Sequence, residues 1–232
     1  MDKTVKSSDE AVRDVMDGAV IMSAGFGLCG IPENLIRALV RKGVKDLTLI
    51  GNNLGSTDSG DGEIYGIGLL AGNGQIKKFI GSFPGPIAKL PWFRELYRTK
   101  KIELEIIPQG TLNERIRCAG AGLGGFFTPA GVGTPIEAGK EKRTFKGREY
   151  ILEMPLRADF ALVKAHKGDR SGNLIYRYSA RNYNPVMAPA ADVTIAEVEK
   201  LCETGSFDPD SVHTPGIFVT RIVKGEKYEK RT

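Results

Sequence analysis

Residues 19–50, AVIMSAGFGLCGIPENLIRALVRKGVKDLTLI, contain the unit that decides the fold. Ala19–Ser23 is a short apolar run typical of a buried strand, and Ala24–Gly30 is a glycine-rich turn. The segment that follows carries apolar residues on one face at helical spacing and ends at Gly43. Leu47–Ile50 is the next short apolar run. A strand, a helix and a second strand in this order predict a parallel sheet.

The same alternation continues along the chain. The further predicted elements are strands at Ile76–Ile80, Lys101–Ile107, Tyr150–Glu153, Phe160–Ala165 and Leu174–Tyr178, and helices at Pro86–Tyr97 and Leu112–Ala119. Asp192–Glu199 fits either a strand or the start of a helix. Ala121–Gly139 is rich in glycine and proline, and we expect an ordered loop that is buried or lies at an interface. These patterns predict one α/β domain over residues 1–232, with a mostly parallel open sheet, helices on both faces and glycine-rich loops at the strand carboxyl ends.

Composition and charge narrow the class of protein. Hydrophobic residues make up 41% of the chain and charged residues 26%, which is typical of a globular domain. The net charge is +5, but the basic residues are scattered, and this favours a solvated mixed-charge surface over a nucleic-acid-binding patch. No stretch reads as a signal peptide or a membrane span, so we predict a cytoplasmic protein that binds neither nucleic acid nor membrane.

Cysteine and histidine usage gives no metal or disulfide pattern. The 3 cysteines lie far apart without a CxxC motif, and the 2 histidines provide no zinc-ligand spacing. Both histidines, His166 and His213, read as surface or structural residues, and no GxSxG motif accompanies them. Cys29 is either a reactive thiol near a helix N-terminus or a small packing residue. The helix dipole is sufficient to explain Glu33, so the sequence offers no clear nucleophile.

Three loops follow predicted strands and are candidates for one site: Ala24–Gly30, Gly51–Gly55 and Pro108–Thr111. In open parallel sheets, ligands bind at the carboxyl ends of the strands. The first loop contains GxGxxG, which either meets a phosphate with its backbone N–H groups or is a tight turn without a ligand. A dinucleotide site also expects an acidic residue at the end of the next strand, where this chain has Asn52 and Asn53.

The other two loops are equally ambiguous when each is taken alone. Asn52 and Asn53 fit a structural turn, because asparagine tolerates a left-handed backbone, but adjacent amides also orient polar ligands. Gln109 ends a strand beside a glycine. Its side-chain amide either caps the following helix or points into a cleft as a donor of the oxyanion-hole type.

Several ordered motifs together resemble the A-type subunits of family I CoA-transferases. The first is Asp17–Glu33, which is similar to the signature of these subunits apart from Ala24, where the family often has glycine. Similar segments follow in the family's order, and they are Gly51–Asn53, Pro108–Leu112, Gly120–Gly133, Ala180–Pro185 and Tyr228–Arg231. The resemblance covers essentially the whole chain.

The resemblance implies a 3-oxoacid CoA-transferase in which a glutamate carries the covalent intermediate. In the family that glutamate lies in a Ser-Glu-Asn-Gly segment of the B-type half, and this segment is absent here. The resemblance therefore implies an A-type chain that forms an α2β2 heterotetramer with a B-type partner. Coenzyme A is implied as a substrate and no permanently bound cofactor is expected. Succinyl-CoA with acetoacetate is the first expected pair, before 3-oxoadipate and then acetate or butyrate.

The same resemblance gives roles to the candidate residues. Gln109 is implied as an oxyanion donor, and Asn52 and Asn53 as residues lining the cleft. The CoA-contacting loop is implied to consist of Ala24, Gly25, Phe26, Gly27, Leu28, Cys29 and Gly30. The alternative function is a free-standing nucleotide- or phosphate-binding α/β module of the dehydrogenase kind, which rests on GxGxxG alone.

Overall fold

The structure is a computed structural model that describes residues 1–57 and 64–228. The family-like residues 229–231 lie outside the described residues. The strands are β1 Val20–Ser23, β2 Leu47–Asn53, β3 Ser56–Thr57, β4 Ile64–Tyr65, β5 Ile76–Phe83, β6 Glu103–Ile106, β7 Phe126–Thr128, β8 Lys142–Phe145, β9 Arg148–Glu153, β10 Ala158–Asp169, β11 Leu174–Ile175, β12 Ala191–Cys202 and β13 Arg221–Lys224. The α-helices are α1 Ser8–Ala11, α2 Glu33–Lys42, α3 Gly68–Gly72, α4 Pro91–Arg98, α5 Gln109–Gly120 and α6 Asn184–Met187.

The main sheet has the strand order β13-β12-β10-β1-β2-β5-β6, and every neighbouring pair along this path is parallel. Among the strands of this sheet in the described residues, only the short β11 is antiparallel, to β10. The predicted parallel sheet is therefore confirmed. The chain runs outward from β1 through β2, β5 and β6, and then returns to place β10 on the other side of β1. The order of winding thus reverses between β1 and β10, and ligands bind at such switch points in open α/β sheets.

Two apolar cores cover the two faces of this sheet. Side chains alternate along each strand, so Ile21 of β1 packs into one core and Met22 into the other. The first core contains residues of α1 to α4, such as Leu35 and Phe93. The second contains residues of α5 and α6, such as Ile116. Helices on both faces were predicted, and this is confirmed. Within residues 1–57 and 64–228, no helix is long and apolar enough to cross a bilayer.

Three predicted elements need correction or a decision. The strand expected over Leu174–Tyr178 is the shorter β11, Leu174–Ile175, and Tyr178 begins a 3₁₀ turn. The helix expected over Pro86–Tyr97 is a 3₁₀ turn, Pro86–Lys89, followed by α4 from Pro91. Leu90 between them has φ −70° and ψ 134°, because a residue before proline is pushed out of the helical region. Asp192–Glu199, which fitted a strand or a helix, lies within the strand β12.

The stretch Ala121–Gly139 is ordered, as predicted, but it is not buried within this chain, so of the two expected locations an interface stays the prediction. Its residues are exposed or half-buried, and it contributes β7 to a small antiparallel sheet of order β7-β9-β8. Phe145 packs edge-on against Phe127 and Tyr150 and holds the three strands together. The sequence missed β7 because it has only three residues and glycines precede it.

A candidate active site at the carboxyl edge of the sheet

The three loops singled out in the sequence meet at the carboxyl edge of the sheet. Gln109, the first residue of α5, donates from Nε2 to Oδ1 of Asn52 at 2.7 Å. Ser82, near the end of β5, donates its hydroxyl to the same oxygen at 2.8 Å. Parallel strands bring their carboxyl ends to one edge, so residues distant in sequence become neighbours there.

A continuous run of hydrogen bonds, which we name the amide chain, links these loops. From Gln109 it passes to Asn52, whose Nδ2 donates to Oδ1 of Asn53 at 3.3 Å. The N–H of Gly27 donates to that same Asn53 oxygen at 3.0 Å. Gln109 is exposed and Asn52 is buried, so the amide chain runs from the surface into the protein. The side-chain amide of Gln109 has two N–H groups. Within the described residues, one of them donates to Asn52.

The glycine-rich loop folds back on itself in a tight turn. Phe26 and Cys29 exchange two backbone hydrogen bonds, each 3.0 Å long. Gly25 has φ +129°, and a Cβ there would lie 2.4 Å from Ile31 Cγ2. Gly25 is therefore required by packing within the chain. Gly27 has φ +61°, but a Cβ there would meet nothing within 4 Å. The open space beside Gly27 is where a ligand has room to approach this backbone.

The remaining loop residues differ in exposure. Phe26 and Cys29 are exposed, Leu28 is half-buried, and Ala24 and Gly30 are buried. Only the outer part of the predicted CoA-contacting loop is therefore open to solvent in this chain. Ala24 does not adopt a positive φ, so its methyl group causes no left-handed backbone strain there.

The N-terminus of α2 does not offer a free anion site. The carboxylate of Glu197, on β12, accepts from the N–H of Leu35 at 2.9 Å and from Nδ2 of Asn34 at 2.8 Å. Its side chain is completely buried, and this burial raises the pKa of Glu197 to about 7. An internal carboxyl group already satisfies the helix N–H groups that a pyrophosphate would use in a dinucleotide fold. This arrangement weighs against the dehydrogenase-like alternative.

The other residues considered as nucleophiles or bases are held in structural contacts. Nδ1 of His166 is 2.8 Å from Oε2 of Glu199. Nδ1 of His213 accepts from the N–H of Tyr176 at 2.9 Å, and burial lowers the pKa of His213. Neither contact includes a serine or cysteine.

Cys29 contacts a hydroxyl rather than an imidazole, since its sulfur is 3.5 Å from Oγ of Ser179. Glu33 is buried in the first turn of α2, where the helix dipole favours a carboxylate. No group of three metal-ligating side chains occurs in residues 1–57 and 64–228.

Two serines of the site were missed by the sequence analysis. Ser82 shares an acceptor with Gln109, as described above. Ser23 lines a small cavity of about 10 Å³ together with Gly27, Asn52 and Asn53. Its hydroxyl is buried and has no hydrogen-bond partner within the described residues. Each serine lies at or near the end of an apolar strand beside a glycine-rich loop, and that position is the signal that would have found it.

Comparisons with known proteins agree with the fold and the motifs. The coenzyme A transferase family profile matches residues 5–225. The A-type subunit of the 3-oxoadipate CoA-transferase of Pseudomonas putida is 51% identical over 223 residues, which are 96% of this chain and 94% of that protein. The A-type subunit of the succinyl-CoA:3-ketoacid coenzyme A transferase of Helicobacter pylori strain J99 is 46% identical over 231 residues, covering 100% and 96%.

A solved relative shares the architecture. It is the acyl-CoA transferase YdiF of Escherichia coli O157:H7, solved as a thioester complex with CoA, with a TM-score of 0.79 and 25% identity. The match covers 97% of this chain but 47% of that one, so this chain spans about half the length of the YdiF chain.

This chain belongs to the coenzyme A transferase family. Within the family it is an A-type subunit of the kind found in succinyl-CoA:3-ketoacid and 3-oxoadipate CoA-transferases.

Proposed function

We propose that this chain is the A half of a CoA-transferase that moves CoA between succinyl-CoA and a 3-oxo acid such as acetoacetate. The observation that carries the proposal is the amide chain at the carboxyl edge. It presents the side-chain amide of Gln109, which is oriented by Asn52, while Cys29, His166 and His213 form no nucleophile–base pair. Such a site stabilises charge but needs a nucleophile from elsewhere.

The proposed chemistry is a ping-pong exchange. A glutamate carboxylate from the B-type partner attacks the thioester carbonyl, giving an acyl–glutamyl anhydride and releasing CoA thiolate. The thiolate then attacks the glutamyl carbonyl, which gives a glutamyl-CoA thioester and releases the first acid as a carboxylate. A second carboxylate reverses both steps and leaves as its CoA ester. Each attack passes through a tetrahedral oxyanion, and a donor at Gln109 stabilises it.

This chain also contributes to binding in the proposal. The open backbone around Gly27 contacts CoA, with the exposed Phe26 and Cys29 beside it. Ala24, Gly25, Leu28 and Gly30 hold the shape of that loop. Asn52 and Asn53 line the cleft, and Asn52 orients Gln109 by accepting a hydrogen bond from its Nε2, which reduces the reorganisation needed during the reaction. No permanently bound cofactor takes part.

The proposed partner is a B-type subunit. Together the two chains form an α2β2 heterotetramer in the cytoplasm. The names of the two bacterial relatives support a 3-ketoacid and 3-oxoadipate as the acids to test first, and acetoacetate is the 3-ketoacid that we propose. Substrate pockets of this kind are shaped by a few side chains, so acetate and butyrate belong in the same panel.

The test is an exchange assay with the chain alone, the partner alone and the two together. CoA transfer from succinyl-CoA is followed with acetoacetate, 3-oxoadipate, acetate and butyrate as acceptors. We expect transfer only in the mixture, fastest with acetoacetate. Full activity of this chain alone would contradict the proposal that the nucleophile lies on the partner. A faster reaction with another acid would replace acetoacetate as the proposed substrate.

A further inference from the structure

The segment 178–184 lies directly behind the glycine-rich loop and has no role in the reaction as described. It comprises the 3₁₀ turn Tyr178–Arg181 and the residues leading into α6. Its two asparagines, Asn182 and Asn184, both reach the loop with their side-chain amides. We name this segment the brace.

The brace fills a gap in the sheet at the switch point between β1 and β10. The last backbone bond between the two strands is from the N–H of Ala24 to the carbonyl of Leu162, at 3.0 Å. After Ala24 the chain turns away into the loop, but β10 continues. The next N–H of β10 on that side belongs to Lys164, and it donates to Oδ1 of Asn184 at 2.7 Å. Oδ1 of Asn184 therefore takes the place of the backbone acceptor that β1 would provide if it continued beside β10.

The other end of the same amide holds the loop. Nδ2 of Asn184 donates to the carbonyl of Gly30 at 3.1 Å and to the carbonyl of Ala180 at 2.9 Å. Asn184 is completely buried. One enclosed side chain thus ties β10, the brace and the end of the glycine-rich loop together. Without the Nδ2 donor, the carbonyls of Gly30 and Ala180 would lose these hydrogen bonds in a buried place. Such a loss lowers the free energy of unfolding.

Asn182 repeats the contact one residue earlier in the loop. Its Nδ2 donates to the carbonyl of Cys29 at 3.0 Å and to that of Ser179 at 3.1 Å. The contact is also tight, because a Cβ on Gly30 would lie 2.5 Å from the carbonyl oxygen of Ala180. The brace therefore holds the consecutive carbonyls of Cys29 and Gly30 by hydrogen bonds. The N–H of Gly27, in the same loop, is held by Oδ1 of Asn53.

We infer that Asn184 is a positioning residue for the CoA-contacting loop, and that Asn182 assists it. The brace sets the position of Cys29 and Gly30. It thereby keeps the N–H of Gly27 within hydrogen-bonding distance of Asn53 in the amide chain. This inference rests on the proposed function for the binding role of the loop. In this inference the brace increases the affinity for acyl-CoA without contacting the acyl-CoA.

The test is Asn184→Asp in the full chain assembled with its partner. Aspartate keeps the acceptor for the N–H of Lys164 but sets a second oxygen against the carbonyls of Gly30 and Ala180. We expect the KM for acyl-CoA to rise about 10-fold or more while kcat stays within about threefold. Hydrogen exchange of the Gly27 and Cys29 amides, measured on the full chain, should accelerate by at least a similar factor. Asn182→Ala removes a half-buried amide and should shift both quantities less.

Asn173→Asp is the matched control. The Asn173 amide also fastens a turn, since Nδ2 donates to Asp169 at 2.8 Å and Oδ1 accepts from the N–H of Gly216 at 2.8 Å. It should lower the unfolding temperature without changing the KM or the exchange of the loop amides.

The outcomes separate the inference from the proposed function. Unchanged loop exchange in Asn184→Asp overturns the inference. Faster exchange with an unchanged KM shows that the loop does not bind CoA, and the inference falls with that binding role. If the wild-type assembly transfers no CoA, the proposed function fails, while loop exchange still decides whether Asn184 positions the loop. If Asn184→Asp does not fold, the same criteria apply to Asn182→Ala.

Discussion

Gln109 is the exposed end of the amide chain, and the proposed function assigns it the contact with the substrate carbonyl. Its amide is oriented by Asn52, which also accepts from Ser82. A donor that is already oriented stabilises a developing oxyanion without reorganising, and this is the main way such groups accelerate acyl transfer.

We expect Gln109→Ala to reduce kcat in the assembled enzyme by roughly 10- to 1,000-fold, because the oxyanion would lose a charge-stabilising donor. Steady-state kinetics with succinyl-CoA would measure this, and KM should change little. Asn113→Ala, four residues further along α5, is the control and should leave kcat unchanged. Equal rates for Gln109→Ala and wild type would remove Gln109 from the oxyanion site.

Ser23 gives a second prediction for a single side chain. Its buried hydroxyl has no partner within residues 1–57 and 64–228, so Ser23→Ala should leave the unfolding temperature unchanged or raise it. If the hydroxyl binds substrate, or a water that contacts it, kcat/KM should fall by roughly 5- to 30-fold, as for one lost hydrogen bond.

Thr4→Val is the control for Ser23. Its hydroxyl is also buried without a partner in the described part of the chain, but it lies beside Ile222 of the edge strand β13. Thr4→Val should leave kinetics unaltered. A Ser23→Ala enzyme that retains full kcat/KM would show that this hydroxyl has no contact with substrate or its water.

At the scale of the elements, the glycine-rich loop and α2 offer a comparison between two glycines. Gly27 and Gly43 have φ +61° and +72°, and a Cβ on either would meet nothing within 4 Å. Each change to alanine should cost about 1 kcal/mol of unfolding free energy through backbone strain alone. Gly43 ends α2, far from the site.

We expect only Gly27→Ala to raise the KM for acyl-CoA, because its methyl group enters the space through which the ligand approaches. Chemical denaturation gives the stability cost, and kinetics of the two assembled variants give the KM. If Gly27→Ala and Gly43→Ala have the same KM, the loop does not contact CoA at Gly27.

The capping of α2 by Glu197 predicts a dependence of stability on pH. Burial raises the pKa of Glu197 from its ordinary 4.5 to about 7, so the folded chain holds this proton more tightly than the unfolded chain. The stabilisation is therefore complete below about pH 4.5 and is lost as the pH rises through about 7. The loss amounts to about 3 kcal/mol.

Glu197→Gln keeps an acceptor for the N–H of Leu35 but cannot titrate. Denaturation of both proteins between pH 5 and pH 8 should show the wild type losing stability relative to the variant. Parallel curves would show that the Glu197 carboxyl does not bind a proton in this range.

Prediction from sequence succeeded where a local pattern carries the structure. The apolar runs 19–23 and 47–50 predicted β1 and β2, and the position of three loops after strands of a parallel sheet predicted that they would form one site. It failed at Pro86–Tyr97, where the pre-proline restriction at Leu90 outweighed the helical pattern. It also failed to find Glu197, because capping α2 from β12 spans more than 160 residues. Long-range contacts leave no mark on local periodicity.

At the scale of the whole molecule, the site lies at an edge that is open in this chain. Phe26 and Phe83 are 53% and 58% exposed at the carboxyl ends of β1 and β5, although large apolar side chains are usually covered. The relatives in Pseudomonas putida and Helicobacter pylori are named as A-type subunits. Both observations support the proposal that a B-type partner completes the cleft and supplies the glutamate.

The most direct test is to locate the covalent intermediate. The assembled enzyme is incubated with succinyl-CoA, denatured without thiols, and each of its two chains is weighed by intact mass spectrometry. We expect a CoA adduct on the partner and an unmodified mass for this chain, because its described residues present donors but no paired nucleophile. A CoA adduct on this chain, formed with succinyl-CoA and discharged by acetoacetate, would contradict the proposed division between the two chains.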